Sequence, residues 1–385
     1  MGLEGIKIMK KIIFVNATAA TEGGALTVLK QFIEGISIYS NKNIYYYIFC
    51  SLEELKIYEN KYIRIVNNIK GKKWLDRIKW DLWGLKNWGK KKNIKADLLM
   101  SFQNTGVRYY KDTKQLVYLH QPIPFKKKFN WKFFDKNERA LWFYKNIYKM
   151  IIKYSLKDYS YIAVQTEWMK NAVIEQFNWT PKKITIIKPN IKNIIIEEIP
   201  RINFNDNKFH IFYPANTAVY KNHELTIDTL KYIKENNPAI YNKLIIHFTF
   251  DNCLSSNRNK VLINLIRDLK INKHIIYEGK ISFDRVLSFY KSCDLMVFPS
   301  YIETFGLPLI EAASFGIPIL VADINYAREV IGSYKGVKFL DYKNPKIWAE
   351  NIIDLYNKRI KYKPYSINYK TSWKDFFKLI EKLVV

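Results

Sequence analysis

Two glutamates eight residues apart, Glu303 and Glu311, bracket the run Thr304-Phe305-Gly306-Leu307-Pro308. A buried apolar segment precedes them and an alanine-rich stretch follows. Proline suits a first helical turn, where its missing N–H costs nothing, so a helix is expected to open here with Glu311 in its first turn and Gly316 near its end. The free amides of such a turn, with the positive end of the helix dipole, suit a phosphate or a polarised sugar oxygen. Gly306 lets backbone approach a ligand closely. Glu311 can accept two vicinal hydroxyls, and Glu303 can reach toward a sugar ring. A lone glutamate in a first turn would be explained by the helix dipole; two of them flanking this turn form a composite that chance rarely supplies.

Upstream, Tyr213-Pro214-Ala215-Asn216 ends an apolar run and Lys221-Asn222-His223 opens the next amphipathic stretch. Near the N-terminus, Gly23-Gly24 lie between an apolar run and another amphipathic stretch, where bare amides can admit a diphosphate or an acceptor. Of the five histidines, His120 alone stands at the end of an expected strand and before a proline turn, where an imidazole can bond a sugar hydroxyl or move a proton. No Asp-x-Asp occurs in the chain, and no other acidic pair has metal-ligand spacing after a strand.

The elements that must position these residues are legible as alternation. Short apolar runs at 11–16, 45–50, 97–101, 115–119, 161–165 and 184–187 alternate with longer amphipathic stretches. A Pro-Asn turn and a second proline interrupt the pattern at 188–201, and it restarts at 209–213, 244–250, 275–278, 295–299 and 318–321. This is an α/β chain of two facing doubly wound, Rossmann-like halves with a cleft between them. The expected division is 1–190 for an N-terminal domain, 191–205 for a linker, 206–371 for a C-terminal domain, and 372–385 for a terminal helix with apolar residues at 373, 376, 377, 379, 380 and 383. Ligands of such sheets sit outside the carboxyl ends of the strands, where the singled-out residues fall.

At 277–332 the sequence resembles the retaining glycosyltransferases of family 4, of the GT-B fold, with their E-x7-E element. The resemblance continues through Ile276-Tyr277-Glu278-Gly279, Gly316-Ile317-Pro318, Val321-Ala322-Asp323 and Arg328-Glu329-Val330, and weakly over the rest of the chain. It implies that 1–190 is the acceptor-side domain and 206–371 the nucleotide-sugar domain, that Glu311 binds the nucleotide ribose and that Glu303 lies against the donor sugar, with the amides of Thr304, Phe305, Gly306 and Leu307 nearby. The loop of Gly279 and Lys280 would hold the base edge. It also implies a donor-side role for Gly23 and Gly24, and a place for His120 beside the donor sugar. Family members commonly set an arginine and a lysine on the diphosphate. Lys221 matches the lysine, but no arginine occurs between Arg201 and Arg258, which leaves Lys221, helix amides and Asn216. Donor departure would be stabilised by Lys221 and amides without a metal or other cofactor.

The charge adds a partner. There are 63 basic and 35 acidic residues, a net +28, and residues 1–190 hold +20 of it (35 basic less 15 acidic). Much lies at 70–95, with Trp74, Trp80, Trp83 and Trp88, and at 125–161. Leu75, Ile78, Leu82 and Leu85 share one face at about 100° per residue, which is the pattern of a helix packed on a sheet. The lysines and tryptophans around them suit the headgroup zone of an anionic membrane. Nucleic acid is the rival partner, but lysines outnumber arginines 53 to 10 and no nucleic-acid module is recognisable. Three scattered cysteines fit a reducing compartment, and neither a membrane-spanning run nor a signal peptide is expected. The expectation is a cytoplasmic glycosyltransferase, peripheral on the inner face of the cell membrane. It would move a sugar from a nucleoside diphosphate to a glycan or lipid-linked acceptor with retention, in bacterial surface-polysaccharide synthesis such as lipopolysaccharide or capsule. A sugar-nucleotide epimerase of the same fold is the alternative chemistry.

Overall fold

The structure is a computed structural model that describes residues 10–365 and 373–385, except 68, 70–73, 128, 192–193 and 255. Parts of the 70–95 and 125–161 basic stretches, and of the 191–205 linker, therefore lie outside the described residues.

The described chain separates into two compact units. The first holds residues within 1–127, 144–190 and 369–385, and the second those within 128–143 and 191–368. In the first, β1 (Lys11–Asn16), β2 (Ile44–Phe49), β3 (Ile63–Val66), β4 (Leu98–Ser101), β5 (Lys114–Leu119), β6 (Ser160–Val164) and β7 (Ile184–Ile186) form one sheet. Its order is β3-β2-β1-β4-β5-β6-β7, and all pairs are parallel. In the second, β8 (Phe209–Tyr213), β9 (Leu244–Phe248), β10 (Ile275–Tyr277), β11 (Leu295–Phe298), β12 (Ile319–Ala322) and β13 (Val337–Leu340) run in the order β10-β9-β8-β11-β12-β13. These pairs too are parallel. Each unit is a doubly wound α/β sheet whose order reverses once, at β1/β4 and at β8/β11. Such a switch point opens a crevice at the strands' carboxyl ends.

The strands are apolar runs because helices cover both faces; β8, β9, β11 and β12 are buried throughout. In the first unit the helix Gly23–Tyr39 sets Phe32, Ile33 and Ile36 on the sheet. The terminal helix Trp373–Val384 packs on it through Trp373, Phe376, Phe377 and Ile380. Phe377 stacks on Phe32 at 5.6 Å and 3° between planes, and it lies where a side chain on Gly35 would reach, 2.8 Å from an ideal Cβ.

The helical stretch at 74–92 covers the opposite face, but through only one of the four expected residues. Leu85 is buried as expected, Ile78 and Leu82 are half-buried and Leu75 is 64% exposed, and Trp80 and Trp88 join Leu85 against Phe14 and Phe49. The cause is a π-turn at Trp80–Gly84. One extra residue per turn shifts the inward face, so a constant 100° advance fails across it. Gly84 permits this arrangement, because a Cβ there would fall 2.4 Å from the Trp80 ring.

Candidate donor-binding site

In the second unit Lys221 and Glu303 meet at the β8/β11 switch point, with Glu311 on the helix that follows, whereas Gly279 and Lys280 lie after β10, two strands away. After β11 the chain passes Ser300 and Glu303 to Gly306, whose φ of 87° is left-handed, and enters the helix Leu307–Ser314. An alanine at 306 would adopt that φ with strain and place its Cβ 3.2 Å from Tyr326 and 3.3 Å from Leu309. Gly306→Ala should therefore lower stability by about 1–2 kcal/mol, seen as a fall in the melting temperature, and weaken any ligand held by this turn.

The helix begins at Leu307 with Pro308 in its first turn, so Glu311 stands in the second turn and not the first. Its side chain turns inward, with the Tyr290 hydroxyl 3.5 Å from Oε2. Burial lifts its pKa to about 7, opposed by that hydrogen bond. Phe305 is buried at 2% exposure, so only its backbone is available to a ligand, while Thr304 and Leu307 are half-buried.

After β8, a 3-10 turn at Val219–Lys221 leads to the helix His223–Asn236. Lys221 and Glu303, one from each side of the switch point, form an ion pair with side chains only 14% and 17% exposed. Ser300 Oγ donates to the same Glu303 Oε1 at 2.7 Å, and Tyr326 holds the carbonyl of Ser300 at 2.6 Å. Burial pulls the Lys221 ammonium down, but the Glu303 charge outweighs it and the net shift is upward. Asn216 is exposed and its Oδ1 accepts from the amide of Ala218 at 3.1 Å, so its side chain shapes the loop.

Arg258 was not singled out from the sequence. It arises from the helix Asn257–Asp268, after β9, and its Nε donates to the carbonyl of Thr217 at 3.0 Å. Its guanidinium pairs with Glu224 and is 14% exposed. A second cation thus reaches the loop before Lys221 from a neighbouring strand end; no local spacing could have announced it.

After β10, Gly279 has φ 69°, and an ideal Cβ would lie 2.5 Å from Asp251 Oδ1; Lys280 beside it is exposed. The preceding Glu278 ends a line of hydrogen bonds across the sheet. It bonds His247 at 2.7 Å, His247 bonds His210 at 2.9 Å, and His210 bonds Asp206 at 2.7 Å. Among the described residues no cluster of three His, Cys, Asp or Glu side chains could hold a metal ion.

In the first unit the helix carrying the glycine pair begins at Gly23 itself. Gly23 needs its freedom, with φ 59°, and no atom lies within 4 Å of a Cβ on either glycine. No side chain caps this helix, so its exposed first turn keeps free amides. His120 follows β5. Asn104 Oδ1 accepts from its backbone amide at 2.7 Å, and Asn104 Nδ2 lies 3.4 Å from its Nε2. Burial, then the Arg77 charge, pushes the imidazole down to about 4, so the neutral form is favoured at pH 7.

Residues 195–372 match the family described as glycosyl transferases group 1. The chain is 23% identical over 207 residues to the O-antigen chain mannosyltransferase RfbU of Salmonella typhimurium, covering 53% of each chain. It is 22% identical over 151 residues to the D-inositol 3-phosphate glycosyltransferase of Paenarthrobacter aurescens, covering 39% of this chain and 36% of that protein. The chain thus spans about a third to a half of the length of these curated relatives. Among solved structures, WaaG, a glycosyltransferase involved in lipopolysaccharide biosynthesis, aligns over 96% of this chain and 95% of its own, with TM-score 0.64 and 10% identity. Anabaena Alr3699/HepE in complex with UDP-glucose aligns over 96% and 94%, with TM-score 0.62 and 14% identity. The chain has two parallel-sheet, Rossmann-like α/β domains with GT-B structural neighbours, and over residues 195–372 it is similar to the glycosyl transferases of group 1.

Proposed function

We propose that this chain is a glycosyltransferase of the GT-B type, acting on a nucleoside-diphosphate sugar with retention at the anomeric carbon. The observation that carries this reading is the Lys221–Glu303 pair across the β8/β11 switch point, beside the helix that bears Glu311. Ionised Glu311 accepts the two ribose hydroxyls. The backbone at Gly279 and Lys280 meets the base, and the amides from Thr304 to Leu307 face the sugar and phosphates. The diphosphate competes with Glu303 for the Lys221 ammonium. Its arrival releases the Glu303 carboxylate toward the sugar and gives the departing diphosphate a cation, the largest kind of stabilisation such a site offers. Gly23, Gly24 and His120, carried by the first unit, are assigned to the donor sugar and phosphates from the likeness to family 4 alone. UDP and UDP-glucose are ligands of the HepE structures, which favours a uridine nucleotide among the candidates. The acceptor is a glycan or lipid-linked glycan of a surface polysaccharide.

No resident metal takes part in this reading. A transfer assay with a panel of nucleotide sugars in EDTA should give full turnover with the cognate donor. Loss on chelation, restored by Mg²⁺ or Mn²⁺, would refute metal independence; an absence of transfer with every donor would refute the reading itself.

Peripheral attachment to an anionic membrane at the cytoplasmic face belongs to the same proposal. Among the described residues no helix is long and apolar enough to cross a membrane. Ile147, Met150 and Tyr154 are 40%, 51% and 68% exposed. Lys149 among them has its pKa lowered by burial and by Lys127, Lys145 and Lys153, which marks a crowd of like charges. Within the sequence cluster Lys126 lies 4.4 Å from the Trp168 ring centroid, Lys127 pairs with Glu175, and Lys145 donates to the Lys127 carbonyl at 3.3 Å. The test belongs on the group around Lys149, that is Lys145, Lys149 and Lys153, with Lys90, Lys91 and Lys92. At about 1 kcal/mol per residue near the surface, changing these six to Gln should abolish cosedimentation with anionic vesicles. Nucleotide affinity should be unchanged. Unaltered vesicle binding, or tighter binding to RNA than to vesicles, would remove the membrane from the account.

A further inference from the structure

The first unit carries a polar cluster at its own switch point that the donor site does not use. Asn16 ends β1, and Gln103, Asn104 and Thr105 follow β4. Asp81 and Arg77 come from the helical stretch whose π-turn reorients it, and Tyr148 comes from the π-turn Tyr144–Tyr148. Asp81 Oδ1 accepts from Asn16 Nδ2 at 2.7 Å, and Oδ2 from Thr105 Oγ1 at 3.2 Å. Asn16 Oδ1 accepts from Trp80 Nε1 at 3.1 Å and from Gln103 Nε2 at 2.5 Å. Tyr148 donates to the carbonyl of Gln103 at 2.8 Å and receives Arg77 Nη2 at 3.0 Å.

Two groups in this network are unsatisfied. Gln103, 1% exposed, keeps its Oε1 without a hydrogen-bond partner among the described residues. Arg77 is half-buried and forms no ion pair among the described residues; its partner is the neutral phenol of Tyr148, over whose ring it lies at 5.8 Å. A guanidinium offers five donors in a planar fork. Only one of these donors, Nη2, has a hydrogen-bond partner among the described residues, and the Asp81 charge acts on the guanidinium at longer range; an anion would take the remaining donors in bidentate fashion. The nearby carboxylate of Asp81 already accepts hydrogen bonds on both oxygens, and each oxygen has a further lone pair for a hydroxyl. Both Arg77 and Asp81 are half-buried and in reach of solvent. Arg77 also acts electrostatically on His120, so the cluster adjoins the residue assigned to the donor sugar.

We propose that Arg77, Tyr148 and Asp81 form the acceptor subsite, and that the acceptor is a hydroxyl-bearing saccharide carrying a phosphate group. Arg77, held by Tyr148, grips the phosphate, and Asp81 accepts a hydrogen bond from a sugar hydroxyl. The phosphate belongs either to a free sugar phosphate or to the phosphate that joins a saccharide to its lipid carrier. This inference rests on the glycosyl-transfer reading and names its acceptor class. Burial, eased by Asn16, Arg77 and Thr105, lifts Asp81 to about 6, so acceptor affinity should fall as pH drops below 6 while the phosphate contact persists.

The test is calorimetry on the full chain with three probes: a nucleoside diphosphate, a hexose phosphate, and nanodiscs containing a prenyl-diphosphate-linked sugar. Wild-type protein should bind the first probe and at least one of the other two. Arg77→Gln should weaken the phosphorylated saccharide at least tenfold and leave the nucleoside diphosphate unchanged. Arg77→Lys should retain part of the affinity, and Asp81→Asn should leave near pH 6 only the dependence that the hexose phosphate's own second ionisation imposes. If the hexose phosphate binds, the free source is indicated; if only the nanodisc does, the lipid-linked source. Equal saccharide-phosphate affinity in the wild type and both Arg77 variants overturns the proposal. So does binding of the nucleotide alone, which leaves the glycosyl-transfer reading standing; binding of none of the three overturns both.

Discussion

Glu311→Gln should lose donor binding and at the same time melt at a higher temperature than the wild type at pH 8. The carboxyl has its pKa raised by burial to about 7, with the Tyr290 hydroxyl as a long-range partner. Between its unfolded value near 4.5 and about 7, the folded chain binds the extra proton. Stability therefore falls as pH rises through that window, and the full penalty is present above it. The penalty is at most about 3 kcal/mol. Glutamine removes the charge and keeps the shape, so the gain appears at pH 8 and vanishes below pH 4.5. A carboxylate accepting two ribose hydroxyls contributes about 1.5–3 kcal/mol per bond, so donor affinity should fall at least 100-fold. In the wild type, affinity should decline as pH drops below 7, because the neutral acid accepts poorly. Melting curves at pH 5 and pH 8, with calorimetry at pH 6 and pH 8, measure both effects. A variant that melts lower at pH 8, or binds donor normally, would exclude this role.

Lys221→Gln should be damaging in two separable ways. The change leaves Glu303 largely buried without its counter-ion, which costs about 3 kcal/mol in stability. It also removes the cation from the diphosphate, so nucleoside-diphosphate affinity should drop about 100-fold while affinity for the bare nucleoside holds. The double variant Lys221→Gln with Glu303→Gln should recover most of the stability, since no unpaired charge remains, and none of the diphosphate affinity. Glu303→Gln alone should lower turnover more than donor affinity. Recovery of both properties in the double variant would mean that the pair is only structural.

The signal in the sequence followed burial. The strands 11–16 and 209–213 coincide with β1 and β8, because central parallel strands are covered on both faces and read as continuous apolar runs. The four-residue strands β3 and β13 escaped notice. Each includes a basic residue, Arg64 or Lys338, and only part of each is buried, so neither makes an apolar run. Glu303, Glu311 and Lys221 could be found because each follows or precedes a strand within one short motif. Asp81 could not. Its partner Asn16 is 65 residues away, and the π-turn that aims it leaves no signature at constant helical spacing. Arg258 was hidden for a similar reason, since it reaches the Thr217 carbonyl from 41 residues downstream.

The central claim is that the second unit's switch point holds a nucleoside-diphosphate sugar. Titration calorimetry of the full chain with nucleoside diphosphates and their sugars tests it most directly, with Glu311→Ala measured beside the wild type. The account predicts one-to-one binding of one nucleotide class by the wild type, and binding at least 100-fold weaker by the variant. Equal affinity in the two proteins, or no nucleotide bound by the wild type, would contradict it.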